Sequence, residues 1–156
     1  MRALIKKFVG EERGVVLVET LLAVPVLTIF AVGILEFGNM MWQRQQLQAG
    51  VKDAARYWAR CRPTDGAGNA FMSCDIATAR LIAFTGNPGG GAPRVPGWDE
   101  ASELSITPTT LPSTPDENDI ITVRGTVVYN SGPLLPLVFP QQFTIGYYYQ
   151  TRYLGW

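Results

Sequence analysis

Hydrophobic and polar positions along the chain fall into stretches with different periods. From Val15 to Phe37 the sequence VVLVETLLAVPVLTIFAVGILEF is apolar on every side of a helix. At a rise of about 1.5 Å per residue it crosses a hydrocarbon core of roughly 30 Å, so it reads as one transmembrane helix. Pro25 removes a backbone donor inside it and predicts a kink. Beyond it, Phe37, Met40, Met41, Leu47, Val51, Ala54, Ala55 and Trp58 recur at spacings near three and four, with Gln43, Arg44, Gln46, Lys52 and Arg56 between them. The helix is therefore expected to leave the membrane and run to about Ala59, its apolar stripe packed on the domain it carries. DIATARLIAFTG, Asp75 to Gly86, predicts a second, short helix with Asp75 or Ser73 as N-cap and Gly86 as its stop. NPGGGAPRVPG, Asn87 to Gly97, reads as a flexible connection and lacks the spacing of a phosphate loop.

The remaining third has a period of two. Leu104 and Ile106 alternate in a short segment, IITVRGTVVYN places Ile121, Val123, Val127 and Tyr129 on one face, and QFTIGYYYQTRY places Phe143, Ile145, Tyr147, Tyr149 and Tyr153 on one face. Within Tyr147 to Tyr149, two rings are expected to pack inward and one to face out. The prolines of SGPLLPLVFP argue for a loop or edge segment. The expected fold class is α+β: a long N-terminal membrane helix extended beyond the bilayer, a short helix, and a small antiparallel sheet of about three strands. Four regions follow: 1–14 ahead of the span, 15–37 within it, 38–60 as its continuation, and 61–156 as a small domain.

Two other readings of the apolar run are less consistent with the chain. A buried core helix needs more surrounding elements than the sequence supplies. A cleaved secretory signal ends its apolar stretch earlier, at a small-x-small site, whereas this run continues to Phe37 and is followed by Gly38-Asn39-Met40-Met41-Trp42.

Composition narrows the function. The 156 residues carry 13 basic and 13 acidic side chains and no histidine. Without histidine, Ser-His-Asp and Cys-His arrangements and HExxH zinc sites are excluded. Two cysteines alone do not make a four-ligand zinc site. Zero net charge argues against binding nucleic acid, which needs a basic surface. The expectation is a protein that is not an enzyme and uses no cofactor. Asp99, Glu100, Asp116, Glu117 and Asp119 lie in turn-rich segments without calcium-loop spacing, and read as solvated charges. Glu36, at the outer end of the span, reads as an interfacial residue with no assigned role.

Cys61 and Cys74 flank RPTDGAGNAFMS, a loop length that a disulfide closes; such a bond persists in an oxidising compartment such as the bacterial periplasm. Two unpaired thiols in a reducing cytosol are the other reading. Arg2, Lys6, Lys7 and Arg13 precede the span, while Arg44, Lys52 and Arg56 follow it, so positive charge favours a cytoplasmic N-terminus by a small margin. The leader carries four basic and two acidic side chains; removing them from 13 of each leaves 9 basic against 11 acidic, a mildly acidic remainder.

Glu19 is the informative residue, because a carboxylate inside the membrane costs several kcal/mol and marks a partner or a function. A cut between Gly14 and Val15 creates an α-amino group about one helical turn from Glu19, and in a stack of such helices the carboxylate of one subunit neutralises the amine of its neighbour. The pattern ERG-VVLVE resembles the processing site of type IV prepilins and pseudopilins. The longer run from Arg13 to Cys61, with Pro25, the ILEFG exit (Ile34 to Gly38) and an Ala-Ala-Arg-Tyr helix end (Ala54 to Tyr57), is similar to the TadE/TadF-like proteins of the tight-adherence (Tad) pilus system. That resemblance implies cleavage after Gly14 by a prepilin peptidase, Val15 as the new N-terminus, and Glu19 as the assembly glutamate. Thr20 stands where the major pilins of this system carry tyrosine, and the chain has a substantial domain after its helix. Both point to a minor pilin or pseudopilin that supports pilus assembly and secretion. The implied partners are the prepilin peptidase, other Tad pilins and minor pilins, the inner-membrane assembly platform and membrane lipid. The implied location is the bacterial inner membrane, single-pass, with the domain in the periplasm. The alternative is an unprocessed membrane-anchored periplasmic interaction protein unrelated to pili, with Glu19 contacting a membrane partner.

Overall fold

The structure, a computed structural model, describes residues 12–65, 67–111, 116, 118–132 and 140–154. Residues 1–11, which make up most of the leader, and 133–139, which make up most of the proline-containing segment before the last strand, lie outside them; so does Glu117.

Helix α1 runs from Glu12 to Ala59 without interruption, through Pro25. Its 48 residues give a rod of about 72 Å. Thr20 and Thr28 turn their hydroxyls back onto the carbonyls of Val16 and Val24, at 2.8 and 2.7 Å, which hides two polar groups within the apolar run. Helix α2 spans Ile76–Thr85. Of the two expected N-caps it uses Asp75, whose carboxylate accepts from the backbone N–H groups of Ala77 at 3.0 Å and Thr78 at 3.3 Å. Gly86 closes it in the left-handed region, with φ of 79°, donating its N–H to the carbonyl of Ile82.

A single 3-10 turn, Ala101–Glu103, leads into strand β1, Leu104–Thr107; β2 spans Ile120–Val128 and β3 spans Thr144–Arg152. The sheet is antiparallel in the order β1-β2-β3, with Ile106 opposite Val123 and Val123 opposite Tyr149. The expected inward face of β2 is the observed one: Ile121, Val123 and Val127 are buried, as is Tyr129 just beyond the strand. On β3, Ile145 is buried, Tyr147 and Tyr149 pack partly against the core, and Tyr148 faces out. Phe143, just before the strand, is exposed rather than inward.

The core is shared between the second half of α1 and the residues that follow it. Leu47, Val51, Ala54, Ala55 and Trp58 of α1 are buried against Ala79, Ala83 and Phe84 of α2 and against the sheet residues Leu104, Ile106, Ile121 and Val123. Phe37, at the start of the predicted stripe, stays exposed, because the domain meets this part of α1 on the face that carries Glu36, Asn39 and Gln43. β3 and α1 run side by side in the same direction. Nine strand residues at about 3.3 Å cover the same 30 Å as twenty helical residues at about 1.5 Å. Just past β3, the Leu154 N–H donates to the Ala59 carbonyl at the end of α1, at 2.8 Å.

The Asn87 to Gly97 segment is fastened down, contrary to the expectation of a flexible connection. The Arg94 guanidinium lies 2.7 Å from the Asp53 carboxylate of α1, and the Arg94 N–H donates to the Phe84 carbonyl at 2.7 Å. Val95 and Trp98 that follow are fully buried. Trp98 meets Phe84 edge to face at 5.0 Å and lies over Gly50 of α1 and Gly125 of β2, where only the absence of a side chain leaves room for the indole. The glycines and prolines set the path of the segment; the aliphatic and aromatic side chains among and after them hold it.

Cys61 and Cys74 are joined in a disulfide, as the loop length suggested. Inside the loop the Asp65 carboxylate accepts from the N–H groups of Ala67 and Asn69, an Asx-type turn.

Candidate assembly and processing site

Gly14, Val15 and Glu19 lie together on the first exposed turns of α1. Side chains from Val15 to Ala31 are all exposed, with Val15 at 68% and Leu27 at 64%, and none of this stretch is buried within the molecule. A core helix of a soluble protein is covered by its own chain; this one is not. The helix is long and apolar enough to cross a membrane. Val15 and Glu19 are four residues apart, so they share one face, about 6 Å apart along the axis. Among the described residues no hydrogen bond or ion pair reaches Glu19. A carboxylate held on an apolar, lipid-length helix without an internal partner is chemically suited to pairing with a cation on another chain. Gly14 has open space about its Cα, so nothing in the described part of the fold covers the peptide bond to Val15.

A second polar site, not assigned from sequence, lies at the other end of the apolar run. The Tyr129 hydroxyl donates to the Glu36 carboxylate at 2.6 Å, and the Gly132 N–H donates to the same oxygen at 3.2 Å. The Asn39 amide donates to the Tyr129 oxygen at 3.2 Å, and the buried Gln43 amide donates to the Asn130 carbonyl at 3.1 Å. A Cβ at position 132 would meet the Glu36 carboxylate, which would then have to shift. Burial, and then the adjoining Glu36 carboxylate, push the Tyr129 phenol up to about 12. Glu36, Asn39 and Gln43 stand at i, i+3 and i+7 on one face, and that polar spacing across a helix otherwise read for its apolar stripe was the available signal. Glu36 is thus a structural contact between helix and domain rather than only a headgroup-level charge.

At the far end of the domain, the Tyr153 hydroxyl donates to the Cys61 carbonyl at 2.6 Å, and burial pushes its phenol up. The disulfide, the end of α1 and the end of β3 therefore meet at one place.

A family model described as TadE-like protein matches residues 14–56. No curated protein and no solved structure matches the chain. The match begins at Gly14, includes Val15 and Glu19, and ends within α1, so it coincides with the exposed run and most of its continuation. Over residues 14–56 the chain is thus similar to TadE-like proteins, in a segment that holds the one helix among the described residues long and apolar enough to cross a membrane.

Proposed function

We propose that the protein is a minor pilin or pseudopilin of a Tad-type pilus, processed after Gly14 by a prepilin peptidase and supporting pilus assembly and secretion. The observation that carries this reading is the isolated Glu19 on a fully exposed, TadE-like helix. Cleavage frees the Val15 amine one turn from that carboxylate, and lateral packing against other pilins brings the amine of one subunit to the Glu19 of the next. The N-terminus then lies in the cytoplasm, where the leader is basic, and the disulfide-bonded domain lies in the periplasm. The partners are the peptidase, other Tad pilins and minor pilins, and the inner-membrane assembly platform. Function resides in helix packing and domain contacts rather than in catalysis.

Glu19→Ala tests the assembly role. Removing one member of a buried ion pair leaves the other uncompensated, at about 3 kcal/mol or more, which is on the order of a hundredfold in an assembly equilibrium. The variant is expected to reach the membrane with its disulfide formed, yet to lose co-purification with pilins and pilus formation. Pilus formation at the unaltered level with Glu19→Ala would exclude the assembly role and favour an anchored interaction domain unrelated to pili.

A further inference from the structure

The contacts at Glu36 fix the height of the domain along α1. Because α1 is one continuous helix, axial level follows from residue number at about 1.5 Å per residue. Val15 to Phe37 rises about 33 Å, close to the hydrocarbon thickness of roughly 30 Å, and Glu36 lies at its outer end. Tyr129 and Gly132 bond to Glu36, and the Tyr129 N–H donates to the Phe143 carbonyl at 2.7 Å. The end of β2 and the approach to β3 therefore sit at the level where the apolar run stops. No length of bare helix separates span from domain.

The groups at this level suit a lipid headgroup layer. Asn130, Ser131, Gly132, Pro140, Gln141, Gln142 and Phe143 include no charged side chain, so placing them against lipid desolvates no ion. Phe143 is 40% exposed, and Trp42, about 9 Å beyond Glu36, is 48% exposed. Arg44 is exposed one further step along α1. Tryptophan is enriched at membrane–water interfaces, where its ring sits at headgroup level. The sequence joining Gly132 to Pro140, PLLPLVF, has no polar side chain, although it lies outside the described residues. The opposite end of the domain differs, bearing Arg60, Arg62, Asp65 and Asp119.

We infer that the base of the domain, formed by Asn130 to Gly132, Pro140 to Phe143 and Trp42, rests on the lipid surface as a second membrane contact beside the span. This rests on the reading of α1 as a membrane helix. With Glu36 holding base and helix together, the span and the domain present one rigid unit to the bilayer.

The test uses the full-length chain reconstituted in phosphatidylcholine vesicles whose acyl chains carry bromine, a contact quencher. The native cysteines are bonded to each other, so one added cysteine takes an environment-sensitive fluorophore selectively. Labels at Gln141→Cys and, separately, Trp42→Cys are expected to be quenched most by bromines placed near the headgroup. A label at Ala23→Cys is expected to be quenched by deep bromines, and one at Arg56→Cys by neither. A label at Gln141 as unquenched as that at Arg56, with Ala23 quenched, overturns the inference alone. An unquenched Ala23 overturns the spanning reading and this inference with it.

Discussion

Two glutamates in the same helix meet opposite fates because of what lies beside them. Glu19 is placed where its own chain offers it nothing among the described residues, whereas Glu36 is placed where β2 delivers a phenol and a backbone N–H. Hydrogen bonds to an ionised acceptor contribute about 1.5–3 kcal/mol, and partial exposure places this one toward the lower end. Tyr129→Phe is therefore expected to lower the unfolding free energy of the domain by about 1–2 kcal/mol at neutral pH, read by denaturant titration in detergent. The pH dependence has a definite sign. The Tyr129 phenol is pushed from 10.0 to about 12 in the fold, so the neutral form is the one favoured there. Its contribution is complete below about pH 10 and is lost as pH rises through about 12. Tyr129→Phe should flatten that part of the alkaline decline, leaving the part due to Tyr153, whose phenol burial also raises. Unchanged neutral stability together with an unchanged alkaline slope would mean that the Glu36 contact holds nothing.

Helix α1 serves as spine for two different environments, and its glycines show where one ends. Gly38 has open space around it, whereas a Cβ on Gly50 would enter the Trp98 ring and the Ala83 carbonyl of α2. Both lie in helix interior, where alanine is the better residue by up to about 1 kcal/mol. The same substitution should then act in opposite directions. Gly38→Ala is expected to leave stability unchanged or raise it slightly. Gly50→Ala is expected to cost about 1–3 kcal/mol through overpacking. Thermal unfolding followed by circular dichroism separates them, and equal effects at the two positions would contradict the packing of α2 and Trp98 on α1.

For the molecule as a whole, what depended on local pattern was readable from sequence and what depended on tertiary approach was not. The end of α1 near Ala59, the Asp75 and Gly86 caps, the inward faces of β2 and β3, and the outward Tyr148 all follow from a residue's own neighbours in sequence. Trp98 and Val95 escaped because they belong to or follow a stretch of glycine and proline, whose composition describes the backbone path but not the side chains it delivers to the core. Glu36 escaped because its partners are more than ninety residues away. Glu19 drew attention in the sequence because a charge within a long apolar run is conspicuous, while a partner for it did not, since no described group of the chain supplies one. The TadE-like match begins at Gly14, on the exposed first turns of α1, and the central functional claim is that the chain is cut there. Intact-mass spectrometry of the protein purified from its native membrane, with and without the prepilin peptidase, is the direct measurement. A chain beginning at Val15 in the presence of the peptidase and at Met1 in its absence is the predicted result. A chain that keeps residues 1–14 while the peptidase is active would contradict it.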